Sequence, residues 1–424
     1  MAGVTSPTIP QTATCGFVPS RVKQDFPIFD RQINGKRIVY LDSANSTQKP
    51  RQVINAMTHF IEHDYAPINR SSYRLASDAT DAVEGARAKV ANFIGARRPH
   101  EVIFTKNATE ALNLVAHSWG RANMAAGDAI LLTHMEHHAN VVPWQMLQAE
   151  RGIEIRWVPL TEDGQLELTN LDSLLDGVKA FSFTAISNVL GTVNPVQHLT
   201  AAAHRHGAVA IVDACQSVPH TITDVQAMGA DLMAFSSHKM CGPTGLGLLW
   251  GKEALLDEMP PFLGGGSMIT DVRLDGFTAA PLPDKFEAGT QPTTEAVGLG
   301  AAVDYISALG MDHIHRHETA LISYAIDSLS QRFGADLTIH GPRNPEIRAA
   351  VMSFAYRNVH PHDLSQILDE SNVYVRAGHH CAKPLMRTLG TGATARASFY
   401  IYNDEADVDA LGDALAHVGD VFNF

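Results

Sequence analysis

The chain has 424 residues, 45% of them hydrophobic, which is enough to bury a large core in what we expect to be two packed regions. Its formal net charge of -13 argues against a nucleic acid partner, because such binding depends on Lys and Arg neutralising phosphates. No apolar run is long enough to span a bilayer, and the first residues have neither the basic start nor the apolar stretch of a secretion signal. We therefore expect no membrane partner and a cytoplasmic location.

Three regions follow one another along the sequence. Residues 1–20 are rich in Thr, Pro and Ser without apolar periodicity, which is typical of a flexible N-terminal arm. In residues 21–300, short apolar runs such as EVIFT, AILLT and AVAIVDA alternate with amphipathic stretches, and this alternation indicates βαβ units around a mostly parallel sheet. Residues 301–424 change to long helical stretches with a few strands, which predicts a smaller α+β domain. The N-terminal part of the large region can pack on the small one.

The cysteines and clustered histidines give no sign of a metal site. The chain has four cysteines and no CxxC pair, so each is expected to be a reduced thiol. His313 and His317 can share a helix face, but no carboxylate or thiol joins them at a suitable spacing, and a solvated face is expected. We therefore predict no bound metal.

An aspartate and a lysine follow two neighbouring predicted strands. Asp213 closes the apolar run AVAIVDA, where a charge is unfavourable unless a group at the sheet edge pairs with it. A protonated pyridine nitrogen is such a group, and Lys239, at the end of the next strand, can form a Schiff base with the aldehyde of pyridoxal phosphate. Read singly, Asp213 is as well explained as a turn cap and Lys239 as a surface lysine. Together they favour pyridoxal phosphate as the cofactor.

A phosphate site is predicted nearby. The stretch TKNATEALN places Ala108 and Thr109 at a helix start, where backbone N–H groups and the helix dipole favour an anion. Ser236 and His238, just before the lysine, can add donors. Read alone, the helix start is equally an ordinary cap, and Ser236 equally a hydroxyl bonded to backbone. The glycine-rich GPTGLGLLWG follows the lysine rather than opening a helix after a strand, so it is not a dinucleotide fingerprint.

At this point several blocks in one order carry a family resemblance. They are NATEALNLVA, MEHHANVVPW, SNVLGT, DACQSVPH, FSSHKMCGPTGLG, GGGSM, FEAGT and RAGHHCAKPL. From about Asp25 to the C-terminus, the chain resembles the SufS-type cysteine desulfurases of the class V aminotransferase group. The resemblance implies the α/β fold of type I pyridoxal phosphate transferases, with a seven-stranded-type sheet. It also implies a homodimer with active sites at the subunit interface.

The resemblance implies roles for individual residues around the cofactor. Lys239 would hold the cofactor, Asp213 would face its pyridine nitrogen, and Gln216 would approach its ring hydroxyl. The remaining cofactor contacts would come from a stacking histidine, from phosphate ligands and, across the dimer, from a threonine: His137, Ala108, Thr109, Asn188, Ser236, His238 and Thr290.

Substrate binding is likewise implied by resemblance. Asn188, Arg376 and Arg396 would receive the substrate, with Arg396 suited to a two-pronged contact with its carboxylate. Without the family, Arg396 is equally a charge on the turn before SFYIYN, and His137 with its neighbour His138 a structural pair.

A thiol separates the expected reaction from plain amino-group transfer. Cys381 follows two histidines in RAGHHCA, and we expect Arg376, His379 and His380 to lower its pKa. A plain aminotransferase needs no such thiol. Cys381 is therefore predicted to take sulfur from L-cysteine as a persulfide, leaving L-alanine, with Lys239 and His137 moving protons. Cys215 and Cys241 are expected to be inert packing residues.

Some positions depart from the family pattern and leave alternatives open. They are Asn45, Asn69, Ser71 and Lys383, and they put substrate preference and rate in question. The main prediction is a desulfurase that supplies iron-sulfur cluster assembly. A selenocysteine lyase or another class V lyase or epimerase is the first alternative, and a non-catalytic scaffold that binds pyridoxal phosphate is the second.

A sulfur-acceptor protein is the last expected partner. His362 in YRNVHPHDLSQ resembles the histidine that desulfurases paired with small zinc-binding acceptors carry in this segment. A neutral imidazole can enter a zinc shell and free one acceptor thiolate. It is equally plausible that His360 and His362 flank Pro361 as a helix-start turn with Asp363, which needs no partner.

Overall fold

The computed structural model describes residues 17–69 and 72–422. The predicted arm therefore lies mostly outside the described residues, as do Arg70 and Ser71. The elements before the main sheet are α1 (Pro19–Lys23), β1 (Gln32–Ile33), β2 (Lys36–Arg37), β3 (Val39–Tyr40), α2 (Arg51–His59) and α3 (Arg74–Phe93).

Seven strands then form the central sheet. They are β4 (Val102–Thr105), β5 (Ala129–Thr133), β6 (Glu154–Val158), β7 (Val178–Thr184), β8 (Val209–Asp213), β9 (Leu232–Ser236) and β10 (Gly247–Gly251). All five residues of β5 and of β9 are buried, as expected for strands covered on both faces. The helices between and after these strands are α4 (Ala108–Val115), α5 (Arg121–Asn123), α6 (Val142–Arg151), α7 (Leu171–Leu175), α8 (Val196–Arg205), α9 (Val225–Met228) and α10 (Glu253–Glu258).

The strand order in this sheet is β4-β10-β9-β8-β7-β5-β6. Strand β10 runs antiparallel to both of its neighbours, and the other pairings are parallel. The predicted mostly parallel α/β sheet is therefore confirmed. Because the carboxyl ends of β5, β7, β8 and β9 share one edge, residues that follow these strands come together there.

One glycine in the rejected dinucleotide segment has a packing role. A Cβ on Gly247 would lie 2.2 Å from the Asn107 backbone and 2.7 Å from the Ala108 nitrogen. A side chain at this position would displace the start of α4, since real Cβ atoms do not approach backbone this closely. The glycine thus lets the predicted phosphate-binding helix start lie directly against β10.

The C-terminal half adds a hairpin, three long helices and a second sheet. Its elements are β11 (Ile269–Arg273), β12 (Gly276–Ala279), α11 (Thr293–Leu309), α12 (Met311–Phe333), β13 (Leu337–Ile339), β14 (Val351–Tyr356), α13 (Pro361–Glu370), β15 (Val373–Tyr374), β16 (Arg376–Gly378), α14 (Lys383–Thr388), β17 (Thr394–Ser398) and α15 (Glu405–Val421). The second sheet has the antiparallel order β13-β14-β17-β16, which confirms a smaller α+β unit.

The N-terminal strand joins this smaller unit. Strand β3 pairs in parallel with β15, and Val39 and Leu41 belong to the same apolar core as Phe354 of β14. The boundary predicted between residues 300 and 301 falls inside α11, so the chain has no break there, and the exact domain limits stay a prediction. Within the two described stretches of the chain, no helix combines the length and apolar character needed to cross a membrane.

Candidate active site

Asp213 and Lys239 lie at the ends of neighbouring strands. Asp213 is the last residue of β8, and Lys239 ends the short 3-10 turn Ser237–Lys239 that follows β9. The two strands pair in parallel with Asp213 opposite Ala234, so both side chains belong to one sheet edge. Asp213 is 3% exposed, and its carboxylate accepts a 3.0 Å hydrogen bond from the Cys215 amide. A buried carboxylate beside a half-buried lysine is the arrangement that the sequence predicts.

His137 belongs to the same site. It precedes the 3-10 turn His138–Asn140, and its Nδ1 accepts a 3.1 Å hydrogen bond from the Ala139 amide. Burial lowers the pKa of His137 to about 4; the positive charge of Lys239 adds to the effect, and the negative charge of Asp213 opposes it. The ring is therefore neutral at pH 7. Because Nδ1 accepts, the ring proton is assigned to Nε2.

Sequence reasoning missed the buried carboxylate that directly precedes this histidine, Glu136. It accepts hydrogen bonds from the Thr133 hydroxyl (2.5 Å), the Asn140 side-chain amide (2.7 Å) and the Thr184 backbone N–H (3.1 Å). Burial raises its pKa to about 8, and the charge of Asp213 adds to the shift. These bonds tie the turn after β5 to β7. The only signal in the sequence is a glutamate three residues after the end of an apolar strand.

The predicted phosphate donors lie at the start of α4. Asn107 caps this helix, and Thr109 is exposed in its first turn. The Ala108 N–H donates to the Ser236 hydroxyl at 2.9 Å, so this N–H already has a protein acceptor. A hydroxyl can accept one bond and donate another. Ser236 and Thr109 are therefore the better placed donors for an anion.

Hydrogen bonds to its backbone carbonyl hold His238 in place. Its carbonyl oxygen accepts from the Thr47 N–H at 3.0 Å and from the Lys49 ammonium at 3.1 Å. Burial lowers the pKa of the His238 ring to about 4, and the charges of Lys239 and Lys49 act in the same direction. The ring is neutral, so it contributes a single N–H rather than a positive charge.

The environment of Gln216 fits the expected cofactor. Its Nε2 donates to the Ala44 carbonyl at 2.6 Å, which fixes the orientation of the amide. Its Oε1 is buried and has no hydrogen-bond partner among the residues that the structure describes. Leaving such an acceptor unpaired costs about 1–3 kcal/mol. A ring hydroxyl placed here would donate to it, as the role predicted for Gln216 requires.

A cluster of two arginines and one carboxylate lies on the small-domain side. Arg396, 2% exposed, donates to the Asn188 carbonyl at 2.8 Å and to the Asp42 carboxylate at 3.2 Å. Arg376 approaches the same carboxylate at 3.6 Å. Within the described chain, the Nε of Arg396 has no partner. Two guanidiniums sharing one carboxylate leave a net positive charge, which suits a substrate carboxylate. Sequence reasoning did not single out Asp42.

The loop that carries Cys381 is anchored on both sides of the thiol. His380 (φ 50°) and Cys381 (φ 55°) are both left-handed, a conformation that is unfavourable for residues with side chains. The Asn188 side chain donates to the His380 carbonyl at 2.8 Å, and the His138 N–H donates to the Cys381 carbonyl at 2.7 Å. The His380 ring bonds the Thr394 hydroxyl at 2.9 Å. These contacts hold the exposed thiol against the large domain.

The prediction that Arg376, His379 and His380 all add positive charge near the Cys381 thiol is partly wrong. His380 is buried, and this burial together with the charge of Arg396 lowers its pKa to about 3. A neutral ring bonded to Thr394 supplies no positive charge to the neighbouring thiol. Arg376 remains as a permanent charge close to this loop, with its side chain 39% exposed.

The other described cysteines are poor nucleophiles. Burial raises the pKa of Cys241 to about 12. Burial also raises the pKa of Cys215 well above its ordinary value, and the negative charge of Asp213 adds to the shift. Both thiols therefore stay protonated, while Cys381 is exposed. Cys15 lies outside the described residues.

Two residues predicted to contact other chains are exposed. Thr290 lies in the loop between Phe286 and α11. His362 is in the first turn of α13, and its N–H donates to the Nδ1 of His360, the capping residue, at 3.3 Å. The segment therefore has the local structure of a helix start, as one of the two interpretations predicts. Because the His362 ring is exposed, a contact with an acceptor protein stays a prediction.

The prediction that His313 and His317 lie on a solvated helix face is wrong for His317. His317 is half-buried, and its Nε2 donates to the Asn403 carbonyl at 2.9 Å. His313 is exposed, and its Nδ1 bonds the Leu309 carbonyl at 3.1 Å. The helix face that these residues share is turned partly toward the C-terminal segment rather than fully to solvent.

Comparisons with known proteins agree with this architecture. The family model described as Aminotransferase class-V matches residues 39–411. A probable cysteine desulfurase from Streptomyces coelicolor is 50% identical over 407 residues, which cover 95% of this chain and 97% of that protein. A cysteine desulfurase from Salmonella agona is 46% identical over 404 residues, covering 95% of this chain and 98% of that protein.

Two solved structures have the same fold as this chain. A cysteine desulfurase from Thermococcus onnurineus NA1 in its apo form superposes with a TM-score of 0.90 at 35% identity, covering 99% of this chain and 100% of that one. The cysteine desulfurase CsdA from Escherichia coli gives a TM-score of 0.87 at 32% identity, covering 96% and 99%. The predicted type I pyridoxal phosphate transferase fold is confirmed.

Proposed function

The chain belongs to the class V aminotransferase family, and we propose that it is a cysteine desulfurase that uses pyridoxal phosphate to convert L-cysteine to L-alanine. In this proposal Cys381 receives the sulfur as a persulfide. The observation that carries it is an exposed thiol on a loop bonded to Asn188 and His138, beside the buried Arg396. A reaction that only transfers an amino group needs no thiol there.

The described residues fit the cofactor at both of its ends. When bound, pyridoxal phosphate supplies the electron sink for bond changes at the substrate α-carbon. We assign covalent attachment to Lys239, the contact with the pyridine nitrogen to Asp213 and the ring hydroxyl to Gln216. Stacking on the ring and binding of phosphate are assigned to His137, Thr109, Ser236, His238 and, from the second copy in a homodimer, Thr290.

Two side chains are placed to move protons. With the cofactor bound, the free amine of Lys239 would remove the α-proton of the substrate. His137 is neutral with its proton on Nε2, because burial lowers its pKa to about 4. A neutral imidazole can donate this proton and later recover one, as general acid–base catalysis requires.

The substrate carboxylate is assigned to the arginine cluster. Arg396 is fixed by the Asn188 carbonyl and by Asp42, and its Nε, which has no partner among the described residues, leaves one donor for a ligand. Arg376 shares the same aspartate and adds positive charge. Asn188 links this cluster to the thiol loop, so binding of the carboxylate and positioning of Cys381 depend on one residue.

The sulfur transfer is a displacement at sulfur. The Cys381 thiolate attacks the sulfur of the substrate, a new S–S bond forms, and the substrate C–S bond breaks. The electron pair of the broken bond passes to the substrate carbon, which takes up a proton and leaves as alanine. The sulfur stays on Cys381, and no outside oxidant or reductant is consumed.

The destination of this sulfur is also a proposal. We assign it to iron-sulfur cluster assembly in the cytoplasm, through a small zinc-binding acceptor that contacts His362. The assignment to the SufS-type branch is supported by the blocks around Lys239 and Cys381 and stays a prediction, as does the homodimer.

The experiment is to incubate the purified protein with L-cysteine and a thiol reductant, and to measure alanine and sulfide in the same sample, with L-selenocysteine in parallel. The reductant releases the persulfide sulfur of Cys381 as sulfide. Equal amounts of alanine and sulfide, formed by wild type and by a Cys15→Ser control, are the expected result. Lys239→Ala should lose the yellow colour and both products. Pyruvate in place of alanine, or cofactor that borohydride fixes to another lysine, would show that the proposal is wrong.

A further inference from the structure

Three potential metal ligands meet at the mouth of the site. His138 follows β5, whereas His379 and Cys381 lie in the loop between β16 and α14. One ligand atom from each side chain lies within 4.8 Å of the other two. Imidazole and thiolate are the ligands that Zn²⁺ prefers, and two histidines with one cysteine leave a fourth position open. The spacing of these residues along the chain does not reveal this cluster, because the fold brings together residues from distant segments.

Hydrogen bonds hold the three residues near one another. The His138 N–H donates to the Cys381 carbonyl at 2.7 Å, and the Lys383 N–H donates to the His138 Nε2 at 2.9 Å. The Cys381 N–H donates to the His379 Nδ1 at 3.1 Å. The centroids of the two imidazole rings are 5.5 Å apart. A cation can bind the ring nitrogen that now accepts from a backbone N–H, in which case it displaces that N–H. It can also bind the other ring nitrogen once the ring proton has moved to the first one.

The distances allow a cation after a small closure of the loop. Zn²⁺ binds nitrogen at about 2.0–2.1 Å and sulfur at about 2.3 Å, so its ligand atoms lie roughly 3.5 Å apart. The three ligand atoms lie within 4.8 Å of one another, so they must approach each other by about one ångström to bind the ion. The Cys381 side chain is exposed and can turn toward the two rings.

We propose that His138, His379 and Cys381 bind a thiol-seeking divalent cation of the Zn²⁺ class, which reversibly blocks the sulfur-accepting thiol. Binding transfers the thiol proton to solvent and makes the sulfur a metal ligand, so it can no longer attack the substrate. The inhibition of the enzyme by the bound cation rests on the proposed function, whereas metal binding itself does not.

The surroundings predict which cations bind. Lys383 and Arg376 flank the loop, so the site lacks the negative charge that would attract Mg²⁺ or Ca²⁺ through oxygen ligands. Affinity must come from the bonds to thiolate and imidazole, which favour Zn²⁺, Cd²⁺ and Co²⁺. Mg²⁺ in large excess is therefore expected neither to bind nor to compete.

The test is to titrate untagged holoenzyme with Co²⁺ and to record the difference spectrum. Wild type should show thiolate-to-cobalt charge transfer and tetrahedral ligand-field bands at one equivalent, and Zn²⁺ but not Mg²⁺ should abolish them. Cys381→Ser should lose the charge-transfer band. His379→Asn, which keeps an acceptor for the Cys381 N–H but removes the imidazole, should bind at least tenfold more weakly.

Controls separate this proposal from the proposed function. His417→Ala, which removes an exposed histidine of α15, and Cys15→Ser should bind Co²⁺ like wild type. Lys239→Ala should also do so, because it removes cofactor chemistry but none of the three ligands. A wild-type spectrum without the thiolate band, or an unchanged band in Cys381→Ser, overturns the metal site whatever the desulfurase assay shows. An inactive enzyme that binds Co²⁺ through Cys381 overturns only the function.

Discussion

The side-chain amide of Asn188 donates a 2.8 Å hydrogen bond to the carbonyl of His380, the residue before the reactive thiol. Its own carbonyl accepts from Arg396 at 2.8 Å. One asparagine of the large domain thus connects the expected carboxylate site with the Cys381 loop. Because His380 and Cys381 are both left-handed, the loop needs such outside contacts to keep its conformation.

Asn188→Ala should slow turnover by loosening this loop. Losing one hydrogen bond of about 1 kcal/mol reduces the population of the ordered loop, so we expect kcat for sulfide formation to fall roughly fivefold. The measurement is steady-state sulfide release. Asn123→Ala, which removes a side-chain bond to the Trp119 carbonyl in the turn between α4 and α5, is the control. Equal loss in both variants would show a general effect on stability rather than on the loop.

Arg396→Lys should weaken the interaction with the substrate carboxylate. Lysine keeps the charge but cannot bridge Asp42, Asn188 and a ligand with one planar group. Losing charged hydrogen bonds worth about 1.5–3 kcal/mol should lower kcat/KM by roughly tenfold to a hundredfold, while the absorbance of the bound cofactor stays. Arg332→Lys, in a surface ion pair with Asp413, should behave like wild type. A variant with unchanged kcat/KM would place the carboxylate elsewhere.

The ends of β8 and β9 were predictable because one apolar run ends at Asp213 and the next is followed within three residues by Lys239. Parallel strands then place Asp213 and Lys239 at one edge. The start of α4 was predictable from the local segment TKNATEALN. In contrast, the parts that depend on distant segments could not be inferred. Asp42 reaches Arg396 only because β3 joins the C-terminal sheet.

The ionisation of two side chains could not be inferred from the sequence, because burial decides it. His380 precedes the thiol in sequence, yet burial lowers its pKa to about 3. Glu136 resembles any strand-end glutamate, yet burial raises its pKa to about 8. The metal-ligand cluster was missed because His138 meets His379 and Cys381 only in the folded chain. Composition and spacing carry no information about such desolvation or long-range contact.

Glu136 should make stability depend on pH. Its pKa is raised from 4.5 to about 8 in the folded chain, so its contribution is fully present below pH 4.5 and is lost as pH rises through about 8. In that window unfolding releases one proton, and the free energy of unfolding falls by at most about 1.4 kcal/mol per pH unit. Urea unfolding of wild type and Glu136→Gln at several pH values measures this difference.

The Gln variant should have a flatter profile, because it cannot ionise. The Asn140 amide can turn to accept from the new side chain, and the Ser182 hydroxyl can adjust to that change. Glu258→Gln, at an exposed position of α10, should keep the wild-type slope. Parallel profiles for wild type and Glu136→Gln would mean that Glu136 is already ionised in the folded protein.

His362→Ala should abolish stimulation by the zinc-binding sulfur acceptor of the same organism while unstimulated turnover stays near the wild-type rate. The reason is that the exposed imidazole would enter the zinc shell of the acceptor and free a thiolate. His315→Ala, which removes an exposed histidine of α12, serves as the control. If both variants are stimulated as strongly as wild type, the acceptor does not use this histidine.

Transfer of sulfur from L-cysteine to Cys381 can be measured by mass spectrometry of the enzyme after a single turnover. The protein is mixed with one equivalent of L-cysteine, alkylated and digested. We expect the peptide containing Cys381 to gain one sulfur atom in the same amount as alanine appears. In Cys381→Ser neither should form at an appreciable rate. Extra sulfur on Cys15, Cys215 or Cys241, or wild-type rates of alanine and sulfide formation by Cys381→Ser, would show that Cys381 is not the sulfur acceptor.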